Sequence, residues 1–247
     1  MKNNSLKVAL ITGGSGGIGS SICKELAKKH IQICFTYFKN KKNAEKIVNE
    51  IKQAGGFAEA RKMDIRNINS IKKTLNYFVK KNGKINILIN NSGISQVKPF
   101  NKISTKDWEN IININLKGPF FLTKYFLENK NKDKWCRIIN ISSSSGINGG
   151  KVQIHYAVTK AGLISLTKSL NNVYGKKNFT INAIAPGLIA TDMSEAELNT
   201  DAGRKKVEGI PSKRLGTVED IGAAVVYLVS DDASYVTGQT INLNGGM

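Results

Sequence analysis

Hydrophobic positions along the chain alternate between two periods. Lys7–Thr12 is a short apolar run, and Ile18–Lys29 after it carries apolar residues at helical spacing. Gln32–Tyr37 is rich in β-forming residues and Asn43–Gln53 reads as a helix, then Ala58–Met63 as a strand and Ile68–Lys81 as a helix. Ile85–Ile89, Arg137–Ile141 and Phe179–Ala185 continue the strands, with helices between them. Ala157, Ala161, Ile164 and Leu170 place a helix over Tyr156–Tyr174, Val218–Val229 reads as another, and Thr240–Leu243 as a last strand. Strand and helix alternating through short loops predict an α/β fold: a doubly wound parallel sheet of about seven strands with helices on both faces. No Pro/Gly/Ser-rich linker divides residues 1–247, so a single domain is expected. The stretch 190–212 is polar, holds Gly203 and Pro211 and breaks the alternation. It is read as a substrate lid at the C-terminal edge of the sheet.

Composition adds limits. The 247 residues, 40% hydrophobic, suffice for a sizeable core. Met1–Ser5 is polar and the apolar run Val8–Ile11 is too short for a signal-peptide core, so a cytoplasmic protein is expected, with no membrane segment. Cys23, Cys34 and Cys136 have no metal-ligand spacing and read as buried, reduced thiols; no metal site is expected. The net charge of +19 suits an acidic partner such as nucleic acid, a membrane surface or an acidic carrier protein. The lysines are scattered and lack interleaved aromatics, so they read as solvated helix faces and no nucleic acid is expected.

Chemistry enters at the first strand-to-helix turn, Thr12-Gly13-Gly14-Ser15-Gly16-Gly17-Ile18-Gly19. Glycines there let backbone approach a dinucleotide pyrophosphate at a helix N-terminus, making the sheet Rossmann-like. Two registers fit: Gly14, Gly16 and Gly19 as G-x-G-x-x-G, or Gly13, Gly17 and Gly19 as G-x-x-x-G-x-G. The second strand ends in Thr36-Tyr37-Phe38-Lys39-Asn40-Lys41-Lys42. No carboxylate stands there to bind a ribose 2′-hydroxyl or repel a 2′-phosphate, which favours NADP(H) over NAD(H). Tyr156 and Lys160 lie four residues apart, on one helix face. An ammonium beside a phenol favours phenolate and is expected to lower the Tyr156 pKa, making it a general acid or base. The serine run Ser142–Ser145 before it offers a hydroxyl for the substrate oxygen.

Taken in order, Thr12-Gly13-x-x-x-Gly17-Ile18-Gly19, Asp64-Ile65, Asn90-Asn91-Ser92-Gly93, Asn115, Ser143, Tyr156-x-x-x-Lys160, Pro186-Gly187 and Thr191-Asp192-Met193 resemble the short-chain dehydrogenase/reductase family over nearly the full length. The family pattern places its serine thirteen residues before the tyrosine, which selects Ser143. The resemblance implies that Tyr156 exchanges the proton and that Lys160 lowers its pKa and bonds the nicotinamide ribose. Ser143 would orient the carbonyl, and Asn115 would hold a proton-relaying water. For the cofactor it implies Gly13, Ser15, Gly16, Gly17, Ile18 and Gly19 at the pyrophosphate, with Tyr37, Phe38 and Lys39 at the adenosine ribose. Asp64 and Ile65 would meet the adenine, Asn91, Ser92 and Gly93 the ribose region, and Pro186, Gly187, Ile189 and Thr191 the nicotinamide. Two positions depart from the pattern: Ser92 replaces the usual Ala, and Gly16 stands where NADP-using members often carry Arg or Lys.

Within the family, Ile210–Gly216 and the ending Tyr235–Met247 resemble the 3-oxoacyl-[acyl-carrier-protein] reductases of fatty acid synthesis. That implies NADPH-dependent reduction of a 3-oxoacyl thioester, an acidic acyl carrier protein docked through Lys134 and Lys177, and a homotetramer. The same features occur in sugar, polyol, acetoacetyl-CoA and other small-ketone reductases. A basic nucleic-acid-binding protein on a reductase fold, or a cofactor-binding regulator, is disfavoured by the complete Asn115, Ser143, Tyr156 and Lys160 set.

Overall fold

The computed structural model describes residues 6–129, 135–176, 178–191, 205 and 207–247. Seven strands form one sheet: β1 (Val8–Ile11), β2 (Gln32–Tyr37), β3 (Ala58–Lys62), β4 (Ile87–Asn90), β5 (Cys136–Ile141), β6 (Phe179–Pro186) and β7 (Thr240–Leu243). Their order is β3-β2-β1-β4-β5-β6-β7 and every pairing is parallel. The helices are α1 (Gly17–Ala27), α2 (Lys41–Gln53), α3 (Ile68–Asn82), α4 (Thr105–Ile112), α5 (Gly118–Glu128), α6 (Ser145–Asn148), α7 (Ile154–Tyr174) and α8 (Val218–Val229). The doubly wound parallel sheet expected from the alternation is therefore present.

Side-chain alternation along the strands builds a core on each face of the sheet. On one face Ala9, Ile11, Ile33, Phe35 and Ile89 pack with Ile22 and Leu26 of α1, Ile47 of α2 and Val225 of α8. On the other, Val8, Leu10, Cys34 and Leu88 pack with Leu75 and Phe78 of α3 and Leu122 and Phe126 of α5. Polar caps set the helix starts. Asn40 accepts from Asn43 N at 3.0 Å, which starts α2 two residues before the apolar pattern does. Ser104 with Asp107, and Thr217 with Asp220, form capping boxes on α4 and α8. β4 starts later than expected because Asn86 is engaged below it, its Oδ1 accepting from Val8 N at 3.0 Å.

Strand order reverses between β1 and β4, the switch point at which doubly wound sheets open a crevice. The three cysteines are free and buried; burial raises the Cys23 thiol and pushes Cys34 up to about 12, so neither is a reactive thiolate. No helix among the described residues is long and apolar enough to cross a membrane. Of the expected lid at 190–212, residues 192–204 and 206 lie outside the described residues, as do Lys134 and Lys177. Phe78 is fully buried between α3 and the sheet. Phe78→Ala is therefore expected to cost about 3–5 kcal/mol of unfolding free energy, read as a lowered urea midpoint with an unchanged slope.

Candidate active site

The glycine turn needs glycine at three positions. Gly13 has φ +67°, a conformation that suits glycine, and a side chain there would press on Ser92. A Cβ on Gly19 would sit 2.2 Å from the Gly13 carbonyl oxygen and one on Gly14 would stand 2.5 Å from the Phe35 side chain, whereas one on Gly16 would meet nothing nearer than the Gly13 oxygen at 3.6 Å. The close backbone approach is thus between Gly13 and Gly19, and α1 begins at Gly17. The α1 N-terminus has no side-chain cap and no acid in its first turn. Free N–H groups and a positive helix end, reached through side-chain-free backbone, fit a dinucleotide pyrophosphate.

The opposite wall is tied to this turn. Thr12 Oγ1 accepts from the backbone N–H groups of Asn91 (3.0 Å) and Ser92 (2.9 Å), and Asn91 Nδ2 donates to the carbonyls of Thr12 (2.9 Å) and Gly13 (3.2 Å). The Asn91 side chain, expected in the ribose region, is engaged in bracing the turn. On the third side, Pro186 and Gly187 continue from β6, Ile189 is buried, and the Thr191 methyl lies 3.4 Å from where a Gly17 Cβ would stand. Pro186–Thr191 therefore runs back to the α1 N-terminus; Asp192 and Met193 lie outside the described residues.

At the adenosine end, Tyr37 is half-buried, and Phe38 and Lys39 are exposed beyond β2. Asp64 is held by Arg66, whose Nε (2.9 Å) and Nη2 (2.7 Å) donate to its two oxygens, and this pairing keeps the carboxyl below its ordinary range. Ile65 turns inward: a Cβ on Gly118 would be 2.6 Å from its Cγ1, so it packs into the core. The Arg66 guanidinium also lies 5.1 Å from the Phe38 ring centroid, a proximity that depends on the β2–β3 pairing and was not legible in the sequence.

The four residues expected to handle protons meet at the C-terminal ends of β4 and β5. Ser143 follows β5, and its hydroxyl stands near enough to the Tyr156 phenol to act on its pKa. Lys160 is buried and donates from Nζ to the Ile141 carbonyl at 2.8 Å. Asn115 is fully buried in a single π-helical turn, Asn113–Lys117, between α4 and α5. Its Oδ1 accepts from Ile94 N (2.9 Å), and its Nδ2 donates to Ile94 O (2.8 Å) and Thr159 Oγ1 (3.2 Å). A Cβ on Gly93 would be 3.4 Å from Lys160 Nζ and 3.5 Å from Asn115 Oδ1. The glycine thus keeps open the space between these two groups. Asn115, Ser143, Tyr156 and Lys160, remote in sequence, are brought together.

The electrostatics depart from the helix-face expectation. Burial raises the Tyr156 pKa, and the Ser143 hydrogen bond only partly offsets it. Burial also lowers Lys160 to about 8. Lys160 Nζ is 5.6 Å from the Tyr156 ring centroid and is bonded to a backbone carbonyl instead. Desolvation therefore raises Tyr156 where the helix spacing predicted a drop.

A second set of residues, silent in the sequence, fixes the loop after β4. His155 Nε2 is 2.8 Å from Gln96 Oε1, and Gln96 Nε2 donates to Asp107 Oδ1 at 2.8 Å. Asp107 also accepts from Lys98 Nζ and Ser104, which hold its carboxyl well below the usual carboxylate range. The chain joins the start of α7, one residue before Tyr156, to the loop that carries Gly93.

In an isolated helix Gly19→Ala would gain about 1 kcal/mol of propensity. Here the Gly13 carbonyl reverses the sign, and the variant is expected to lose about 1–3 kcal/mol and its dinucleotide binding. Gly16→Ala should stay within about 1 kcal/mol of the parent. Thermal unfolding of the pair checks this; equal tolerance of both would contradict the close Gly13–Gly19 approach.

Comparison with known proteins agrees with this geometry. A family model described as enoyl-(acyl carrier protein) reductase matches residues 13–247. The 3-oxoacyl-[acyl-carrier-protein] reductase FabG of Buchnera aphidicola subsp. Schizaphis graminum is 38% identical over 241 residues, covering 98% of this chain and 97% of that protein. The FabG of Aquifex aeolicus is 39% identical over 242 residues, with coverage of 98% and 97%. A dehydrogenase/reductase from Sinorhizobium meliloti 1021 superposes with a TM-score of 0.91 at 31% identity, over 97% of this chain and 94% of that one. A Serratia marcescens short-chain dehydrogenase/reductase mutant gives 0.91 at 28% identity, over 97% of both. The chain belongs to the short-chain dehydrogenase/reductase family and is an NAD(P)-dependent oxidoreductase of it.

Proposed function

We propose that this protein reduces the ketone of a 3-oxoacyl thioester, carried on acyl carrier protein, to the 3-hydroxyacyl thioester, with NADPH as reductant. The observation that carries this reading is the meeting of Ser143, Tyr156 and Lys160 at the C-terminal end of β5, with Lys160 Nζ 5.6 Å from the Tyr156 ring centroid. A protonated Tyr156 phenol is the form that donates to a nascent alkoxide. The substrate class is supported by the FabG relatives, which align over 98% of the chain. An acidic carrier is supported by the net charge of +19. NADPH over NADH is supported by Lys39, Lys41 and Lys42 after β2, where no carboxylate stands. A cytoplasmic compartment fits three free cysteines, and a homotetramer and a substrate lid over 190–212 complete the reading.

When bound, the nicotinamide supplies a hydride to the carbonyl carbon. Tyr156 donates its phenolic proton to the carbonyl oxygen as negative charge develops there. The Ser143 hydroxyl donates a second hydrogen bond to that oxygen. Lys160, cationic below about pH 8, favours the phenolate left behind. Asn115, across the Gly93 gap from Lys160, borders the route by which the proton is replaced.

As pH rises through about 8, Lys160 loses its proton and this support is withdrawn. The turnover rate for ketone reduction is therefore expected to be constant below that value and to fall above it, in a pH–rate profile at saturating substrate. Tyr156→Phe keeps the ring and removes the donor, and should lower turnover by about 10²–10⁴-fold; near-normal turnover would contradict the assignment. The substrate reading is tested by assaying 3-oxoacyl thioesters, enoyl thioesters and a polyol panel with each nicotinamide. Reduction of the 3-oxoacyl thioester with NADPH supports it, and turnover confined to enoyl thioesters or polyols overturns it.

A further inference from the structure

We infer that Arg66 selects for a phosphate on the adenosine 2′-oxygen, supplying from the turn after β3 the cation that the glycine turn lacks; this rests on the NADPH reading above. The end of β2 is where such folds read the adenosine ribose, and an arginine nearby is the usual means of accepting a 2′-phosphate. Here the arginine comes from the neighbouring strand. Met63 N donates to Tyr37 O at 2.9 Å, which sets the chain after β3 beside the chain after β2. The Arg66 guanidinium then lies 5.1 Å from the centroid of the Phe38 ring.

The pairing with Asp64 completes the argument. Unpaired, Asp64 would repel a phosphate at this end of the crevice. Arg66 neutralises it through two of its five N–H donors, Nε–H and one on Nη2. The carboxylate and the Phe38 face orient the guanidinium, and three donors remain for a further anion on a side chain that is 40% exposed. A planar fork suits phosphate better than a lysine point charge. Gly16 brings no cation, Lys41 is 3.4 Å from the Glu45 carboxylate, and Arg61 is stacked on Tyr77 at 3.9 Å.

The test is calorimetric titration of the apoprotein with 2′,5′-ADP and with 5′-AMP, a binding readout that does not depend on turnover. The parent should bind 2′,5′-ADP about tenfold or more tightly than 5′-AMP. Arg66→Ala should lower affinity for 2′,5′-ADP by about 10- to 100-fold while leaving that for 5′-AMP within about twofold. Arg66→Lys should restore part of the difference. Unchanged 5′-AMP affinity in Arg66→Ala also reports that the variant is folded. If the parent discriminates and Arg66→Ala discriminates equally, the inference about Arg66 is overturned while the NADPH reading stands. If Arg66→Ala loses both ligands alike, Arg66 shapes the adenosine pocket generally and the inference is overturned. If the parent does not discriminate, the NADPH reading fails and the inference with it.

Discussion

The site depends on the burial of one ammonium group. Lys160 is removed from water, and its ammonium donates to the Ile141 carbonyl at the end of β5. Holding a charge there requires that the helix carrying it cannot shift. Several contacts meet that demand. Ser142 Oγ donates to the Lys160 carbonyl at 2.8 Å, and Gly146 lets α6 approach so closely that a Cβ would stand 2.7 Å from the Lys160 carbonyl carbon. Deeper in the sheet, Asn140 donates to Thr167 of α7 at 2.8 Å and accepts from Asn90 of β4, also at 2.8 Å. A buried polar ladder thus fixes α7 to the sheet at a point two turns beyond Lys160.

The same logic orders the rest of the crevice. Strand reversal between β1 and β4 opens it, Thr12 and Asn91 lock its two lips together, and the π-helical turn brings Asn115 to the loop after β4. The His155–Gln96–Asp107 chain holds that loop against the start of α7. The glycine turn, the loop after β4 and the start of α7 are consequently fixed by hydrogen bonds that cross between elements. This is the preorganisation that electrostatic catalysis needs.

Much of this was legible in the sequence for physical reasons. Hydrophobic period is a local signal, and it placed all seven strands and the sheet type. It missed the start of α2 and of β4 because Asn40 and Asn86 act through hydrogen bonds that carry no hydrophobic signature. The quartet was legible by resemblance, and Tyr156 and Lys160 also by helical spacing, but spacing says nothing of desolvation. The expected drop in the Tyr156 pKa became a rise for that reason. Which glycines of the turn are confined was not legible either, because the contacts of Gly14 with Phe35 and of Gly19 with Gly13 are made in space. Gln96 was invisible because its partners, Asp107 and His155, come from other helices, and the approach of Arg66 to Phe38 because it depends on strand pairing. Lys134, Lys177 and much of the expected lid fall outside the described residues.

Desolvation, rather than a neighbouring ammonium, sets the direction of the Tyr156 shift. Ultraviolet difference titration of the apoprotein against Tyr156→Phe isolates the ionisation of that one phenol. The account predicts that Tyr156 ionises above its ordinary value of 10.0. A Tyr156 phenolate already formed near neutral pH in the apoprotein would contradict it.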